Sequence, residues 1–558
     1  MKTKRNITKL MLILLCMLLV ISSLAACGKD VKDDTAKGGK PSGTEKGSDK
    51  KDDKEPSAEG GYSGSAPVTE EEKTFTILTT NSGSKLSTSS DWEKMTWWHE
   101  ALERANINLE LEIIDSSAYG DVVRPRLAAA ADLPDAIKLP DKDPDMSYLN
   151  SGIFIELSDL IDEYGYNLSK QFEIYDSLKA EVTTPDGEIY YLPYIYTPHN
   201  NSRTLMVNDA FAEKVGKPLS EMKTLDDYYD YLVAVKEADA NENGNPDDEI
   251  PLFMRAGMTK LWGMVWGLDL SDGGGYQADE NGNIICGYID DRYLEMLTFF
   301  NKLYTEGLLY NEFATADLDT QNALFADNQV GSLIHFVSNC TGYSQRIDPD
   351  WNIDTDELII VPVEPLEGPH GDKYAYGRDV LGSIYGITTE CEDPETLFAF
   401  FDYLYSEEIG ILTWYGLEGK DYEVSNGDYV FSDEFLDNKD NYRGVNGFNF
   451  DGLPSYQFPG GYMATQSDKV RDISENVLNK HLMNPTVTFS YKLDSENEII
   501  QEYAADLATY FDENLTAFIM GTKPLSEWDS YVETVKSMHV DDIIEVHQAV
   551  YDRQSAVE

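Results

Sequence analysis

The sequence predicts an α/β fold, divided into more than one lobe and built on a parallel sheet. Three observations carry this. Between residues 74 and 139 short β-rich runs alternate with helix-period segments in the order β-α-β-α-β, the pattern of strands joined by helical crossovers. Amphipathic helices recur through the rest of the chain, with only occasional strand-like runs between them. At 558 residues the chain exceeds what one hydrophobic core organises, so division into lobes is expected.

The elements follow in order. "TFTILTT", from Thr74, is a short β-rich run, and "DWEKMTWWHEALERANI" has helical spacing with Asp91 placed to cap it. "NLELEII" alternates apolar and polar residues as a strand does. "YGDVVRPRLAAAADLPDAIKL" supplies a helix and a further short strand, with Pro125 expected in the first turn, where a missing N–H costs nothing. "TLDDYYDYLVAVKEA", "RYLEMLTFFNKLYTEGLL" and "PETLFAFFDYLYSEEIGILTWYG" read as amphipathic helices. "SIYGIT" and "LIIVPVE" read as strands, and the tail from Glu498 is mostly helical. There are no internal repeats.

Charge and the N-terminus bound the function. The chain carries 101 acidic against 44 Lys and Arg residues, a formal net charge of -57. Such a field argues against nucleic-acid binding and against polybasic docking on anionic lipid. Residues 1–26 read as a signal peptide, with basic Lys2, Lys4, Arg5 and Lys9 before an apolar run from Leu10 to Ile21. That run is short of the roughly 20 residues a membrane span needs. Leu24-Ala25-Ala26-Cys27 resembles the lipobox of bacterial lipoproteins, which implies a diacylated Cys27 holding the chain on the outer face of the membrane. Residues 27–70 are then a disordered tether of Lys, Asp, Gly, Ser and Glu, whose ends would lie roughly 35–40 Å apart. After Cys27 only Cys286, Cys340 and Cys391 remain, an odd number without CxxC spacing, so neither a disulfide framework nor a zinc site is expected.

Several segments resemble one family in their order: "LPDAIKL", "DGEIYYLPY", "NKLYTEGLLYNEF", "LTWYGLEGKDY" and the terminal "FIMGTKPLSEWDSYVETVKSMHVDDIIEVHQAVYDR". With the lipobox, the set resembles an extracellular solute-binding lipoprotein of an ABC importer, of the carbohydrate-associated family 1 type found in Gram-positive bacteria. The resemblance runs from about Thr74 to the end. It implies a periplasmic-binding-protein-like architecture, two α/β lobes joined by a hinge of two or three crossing segments with a ligand cleft between them. It further implies a carbohydrate ligand, delivery to permease subunits and no catalysis. The expected division is 71–195 with about 315–385 for the N-terminal lobe, and 196–314 with about 386–558 for the other. A monomer is the default expectation.

"DANENGNPDDEIPL", Asp239 to Leu252, concentrates side-chain oxygens. Asp239, Asn241 and Asn243 alternate and Gly244 follows at position six, as in the first half of an EF-hand loop, with the Asn245 carbonyl next. Position twelve is Ile250 where that loop has Glu, so Glu249 is the substitute, with Asp247 or Asp248 as a further ligand. The resembled family carries a similar loop that binds calcium, which implies Asp239, Asn241, Asn243, Asn245, Asp247 and Glu249 as a structural Ca2+ site. The plainer reading is a polar turn whose Asn and Gly favour left-handed backbone. "DENGNIICGYIDD", from Asp279, begins alike, but Asn281-Gly282 before a β-rich run marks a hairpin turn.

Sugar sites pair an aromatic ring with the C–H face of a pyranose, and polar groups with its hydroxyls. Trp98 (or its neighbour Trp97), Trp262, Trp266, Trp414 and Tyr415 are the aromatic candidates. Trp262 and Trp266, four apart, fit one core-facing helix stripe equally well. The resemblance places Tyr194 at the start of a segment crossing between lobes, and Trp414-Tyr415 where the second lobe meets the cleft. Arg378 and Asp379 precede a predicted strand and could bond hydroxyls or pair on the surface. Two other functions compete. A glycoside hydrolase needs two carboxylates at a set separation, a condition so many acidic residues meet by chance; no nucleophile elbow, HExxH or P-loop is present. A peptide-binding or signalling lipoprotein would share the fold.

Overall fold

The computed structural model describes residues 62–80, 92–141, 146–197, 202–271, 274–352, 357–377, 379–438, 446–448, 450–483 and 489–556. Cys27, the signal peptide, most of the tether, Asp91 and Arg378 lie outside the described residues. In chain order the strands are β1 (Lys73–Thr80), β2 (Ile107–Ile114), β3 (Ala136–Lys138), β4 (Tyr191–Ile195), β5 (Arg203–Asn208), β6 (Tyr276–Ala278), β7 (Ile284–Cys286), β8 (Ser332–Phe336), β9 (Ile360–Pro362), β10 (Leu381–Ile387), β11 (Tyr422–Ser425) and β12 (Asp428–Phe431).

The β-α-β-α-β reading holds. β1 pairs in parallel with β2 and with β3, and the helices Thr96–Ala105 and Tyr119–Ala129 make the crossovers. β2 is an edge strand, and its alternation survives in the fold: Ile107, Leu109 and Leu111 are buried while Asn108, Glu110 and Glu112 are exposed. The sheet is mixed, in the order β2-β1-β3-β10-β4, because β10 runs antiparallel to β3 and β4. Pro125 is not in a first turn as expected. It sits mid-helix in Tyr119–Ala129, so one carbonyl of that helix lacks its N–H partner. The segment read as one long helix from Pro394 is two, Pro394–Leu404 and Glu407–Tyr415. Ser406 breaks it by capping the second helix, its side chain accepting from the Ile409 N–H.

A second sheet, β8-β5-β9, is antiparallel. Its middle strand is buried on both faces: Leu205 and Val207 enter one apolar cluster and Met206 a different one, the period of two expected of a strand. The helices Leu225–Lys236, Asp291–Thr305, Asp494–Ile519 and Val540–Ser555 cover the larger cluster. Leu225–Lys236 begins with a capping box between Thr224 and Asp227. As its Asn-Gly signal required, β6-β7 is a hairpin, with Gly282 at φ 81°.

The apolar packing divides the chain differently from the expected boundaries. The described residues from 380 to 456, expected mostly in the second lobe, pack on the first sheet, whereas Phe325, Leu333, Ile360 and their neighbours pack on the second. Strand pairing decides this: β10 joins β3 and β4, whereas β8 and β9 pair with β5. The packing changes lobe between Ile195 and Leu205, between Tyr376 and Val380 and between Tyr456 and Met463, and Tyr491 packs back in the first lobe after Phe489 in the second. Packing also starts before the expected end of the tether. Tyr62 and Val68 are buried in the first lobe, and the Tyr62 hydroxyl donates to Asp402 Oδ2 at 2.7 Å. Asp402 is buried and accepts as well from the Asn167 and Leu168 backbone N–H groups. Among the described residues no helix is long and apolar enough to cross a membrane.

Candidate functional site

Three parallel strands end at one place. Thr80 closes β1, Ser116 and Ser117 follow β2, and Lys138 closes β3; all four line a cavity of about 710 Å³. The carboxyl ends of strands are where open α/β sheets bind ligands, because the crossovers diverge there and leave a crevice. The Tyr119–Ala129 helix adds Asp121 and Arg124 to the wall. The passages between lobes contribute Tyr196 and Asp379, and the second lobe contributes Arg203 and Ser271. The lining is hydroxyl-rich and charged, suited to a solute with many hydrogen-bonding groups.

Local contacts fix this wall. The Tyr119 hydroxyl donates to the Lys138 backbone carbonyl at 2.6 Å. Arg124 pairs with Asp141 at 2.7 Å. Gly382 in β10 permits a close backbone approach: a Cβ there would lie 2.7 Å from the Tyr194 carbonyl oxygen and 2.8 Å from the Tyr196 ring. Lys138 is 6% exposed, and burial holds its ammonium below the ordinary lysine pKa, while the Asp451 carboxylate acts in the opposite direction. His335, in β8, is pushed down to about 4 by burial and by Arg255 and Arg203, so it is neutral near pH 7.

Of the expected ligand residues, Asp379 lines this cavity. Tyr194 is buried beside it, edge to face with Tyr196 at 5.1 Å. The tryptophans are engaged elsewhere. Trp98 is buried, with its Nε1 donating to the Gly447 carbonyl at 3.1 Å and its ring against Phe450. Trp97 donates to Asp421. Trp262 and Trp266 pack on Phe300 and Trp262 also on Tyr228, as a core stripe does. Trp414 donates to the Tyr456 carbonyl at 3.2 Å. Tyr415 lines a different concavity, about 880 Å³, between the β11-β12 hairpin and the Asp468–Asn476 helix. The area of large rings drives them into cores, and the residue that borders the cavity from the buried run "AIK" is Lys138.

In the Asp239–Glu249 loop the expected turn is built from its own side chains. Asn241 Oδ1 accepts from the Asn243 N–H at 3.0 Å, Asn243 Oδ1 from the Asn245 N–H at 2.7 Å, and Asp239 Oδ2 from the Gly244 N–H at 3.0 Å. Gly244 has φ 88°, where a side chain would strain the backbone. Glu249 Oε1 accepts from the Ala240 N–H at 2.7 Å. Two further carboxylate oxygens, Asp239 Oδ1 and Glu249 Oε2, are buried without a hydrogen-bond partner. Asp247 is exposed; the acid turned toward the loop is Asp248, which accepts from Asn243 Nδ2 at 2.8 Å and Gln329 Nε2 at 3.1 Å. Among the described residues no three His, Cys, Asp or Glu side chains converge as a metal site. None of the loop's residues lines the cavity.

The family described as bacterial extracellular solute-binding protein matches residues 89–411. Lipoprotein LipO of Bacillus subtilis is 26% identical over 452 residues, 78% of this chain and 85% of that protein. The fructooligosaccharide ABC transporter substrate-binding protein FusA of Streptococcus pneumoniae is 25% identical over 525 residues, 87% of this chain and 91% of its own. In structure, the alginate-binding protein AlgQ2 without calcium ion superposes with a TM-score of 0.68 at 22% identity, over 87% of this chain and 99% of that one. FusA in complex with kestose gives 0.67 at 21% identity, over 87% and 100%, and a FusA EF-hand mutant gives 0.66 at 22%, over the same shares. The likeness shows the fold: two α/β lobes, hinged, with a cleft between them.

Proposed function

The chain belongs to the bacterial extracellular solute-binding protein family, and from that premise we infer that it captures a carbohydrate, an oligosaccharide, and delivers it unaltered to the permease subunits of an ABC importer. The observation that carries this reading is the cavity at the strand ends, walled by Lys138 and Ser116 of the first lobe and by Arg203 and Ser271 of the second. A solute seated there touches both lobes, so its binding energy favours the closed arrangement. The wall's hydroxyls and charges suit a polyol, and FusA and AlgQ2 carry sugar ligands in their names. Asp379 and Tyr196 are assigned to ligand hydroxyls. No bond of the solute is made or broken in this reading, so the protein needs no catalytic pair. Cys27 carries the lipid, and the monomeric body works at the outer face of the membrane.

Calcium completes the reading as a structural ion. The donor set fits it: Asp239, Asn241, Asn243, the Asn245 carbonyl and Glu249 are all oxygen ligands. Asp239 Oδ1 and Glu249 Oε2 are the two buried anionic oxygens that a cation would neutralise. The ion would pin the loop between the Leu225–Lys236 helix and the Ile250–Val330 bridge.

A thermal-shift screen over oligosaccharides and peptides identifies the ligand class, and small-angle scattering then follows closure. The expected result is a sugar that raises the melting temperature and reduces the radius of gyration. An unchanged radius with sugar bound contradicts the clamp, a peptide hit contradicts the sugar, and turnover of the sugar favours a hydrolase.

A further inference from the structure

Among the described residues the shortest tie between the lobes is the link from Phe489 to Tyr491. Phe489 is buried in the second lobe and Tyr491, two residues on, in the first. The other changes of lobe leave longer spans between their buried ends, the shortest being Tyr376 to Val380. Ile499 then packs on the second lobe again, so Tyr491 is one ring of that lobe's chain inserted into the first. Two residues of chain reach at most about 7 Å. The lobes therefore cannot part at this point while both rings stay buried.

The inserted ring is held on several sides. Its hydroxyl donates to the Val182 carbonyl at 2.8 Å, at the end of the Asp176–Val182 helix. The ring lies nearly parallel to that of Tyr191 in β4, with centroids 6.4 Å apart. Residues two apart on an extended strand share a face. The left-handed backbone of Tyr491, φ 55°, breaks that alternation, and the rings of 489 and 491 enter different cores. A bulky residue rarely adopts such a φ, and it persists where the surroundings over-determine it. Further ties follow directly. The Lys492 carbonyl accepts from the Met146 N–H at 3.3 Å, and Asn150 Nδ2 donates to Asp494 Oδ2 at 3.3 Å. Both join the Met146–Asn150 helix of the first lobe to the entry of the Asp494–Ile519 helix of the second.

We propose that the Tyr491 link is the fulcrum of the clamp. The second lobe turns about this inserted ring, and the cavity wall at Ser271 swings against the wall at Ser116 and Asp121. This rests on the two-lobed capture reading above. A rotation moves each point in proportion to its distance from the axis, so a tie too short to stretch has to lie close to that axis. The longer passages absorb the change in backbone angles.

The test is dipolar electron resonance on the detergent-solubilised lipoprotein, free of solute, with spin labels on pairs of introduced cysteines. Cys286, Cys340 and Cys391 are buried, which directs the labels to the new sites. S151C/S495C places a pair beside the Asn150–Asp494 contact. V122C/S271C places a pair across the cavity mouth, Val122 following the wall residue Asp121. Freezing traps lobe arrangements that interconvert in microseconds to milliseconds. The expected result is a narrow separation at the fulcrum pair and a spread several times broader at the mouth pair. Y491G accepts the left-handed φ and removes the ring, so it should broaden the fulcrum pair. Y491F keeps the ring, loses only the bond to Val182 and should broaden it less. Should Y491G melt early, Y491F reads the same change. A fulcrum pair as broad as the mouth pair overturns the proposal and leaves the clamp intact. So does a fulcrum pair that stays narrow in both variants beneath a broad mouth. Narrow separations at both places in every variant overturn the clamp and the fulcrum together.

Discussion

The Tyr119 hydroxyl donates to the backbone carbonyl of Lys138 at 2.6 Å, and the Leu78 carbonyl lies 3.2 Å from the same oxygen. One phenol thus joins the helix after β2 to the ends of β1 and β3, where the cavity begins. Burial pushes that phenol well above its ordinary pKa, so it stays a donor at all working pH values. Tyr119→Phe keeps the ring and removes the donor. The expected cost is about 1 kcal/mol of stability, the usual net worth of one hydrogen bond, measured by urea denaturation. Solute affinity should fall as well, because the strand end that carries Lys138 loses its tie. Unchanged affinity would show that β3 positions Lys138 without help.

Calcium should raise the melting temperature over that in chelator. At a free concentration of 100 times the dissociation constant, a single site adds about 2.7 kcal/mol. The D239N/E249Q pair neutralises both carboxylates that carry the unpartnered buried oxygens and should abolish the difference while leaving solute binding in place, since the loop is outside the cavity. Identical melting curves with calcium and chelator would reduce the loop to a polar turn.

Acid sensitivity has a named source. His547 is buried with its ring 4.0 Å from Phe489 and 4.7 Å from Tyr276, and burial lowers its pKa to about 3. The unfolded chain takes up that proton near the ordinary value of about 6.5. The folded pKa is depressed, so the unfolded state binds more protons between those values, and stability falls as pH drops from about 6.5 toward 3. The slope from this one group is at most about 1.4 kcal/mol per pH unit. His547→Phe should flatten that part of the stability profile, and His335, lowered to about 4, should account for a further share.

Trp98→Phe distinguishes core from ligand surface. The ring packs on Phe450 and its Nε1 holds the Gly447 carbonyl, so the substitution should cost about 1–3 kcal/mol. Affinity for the solute should stay within about twofold. A tenfold loss of affinity at unchanged stability would place the indole against the ligand.

Much of the architecture was legible. Period-two alternation in "NLELEII" and the helix-period segments around it specify a crossover sheet, and β1-β2-β3 pair that way. Asn281-Gly282 marks its hairpin because only a few residues accept positive φ. The lobe boundaries were not legible, since strand order depends on pairings between distant segments such as β10 with β3, about 250 residues apart along the chain. Nor did sequence separate the aromatic residues of the core from those of a cleft. Trp262 and Trp414 have the composition of sugar platforms, and only the fold reveals Phe300 or Phe448 already lying against them. Lys138 was visible in "LPDAIKL" but had no pattern to distinguish it; its place at the cavity wall follows from the fold.

Tyr62 meets Asp402 on the outer helix layer of the first lobe, and Val68 packs in that same lobe. Any pull on the leading end of the polypeptide is therefore borne by that half alone. The half built on β5 takes that pull only through the first, since no residue of 62–72 packs in its clusters.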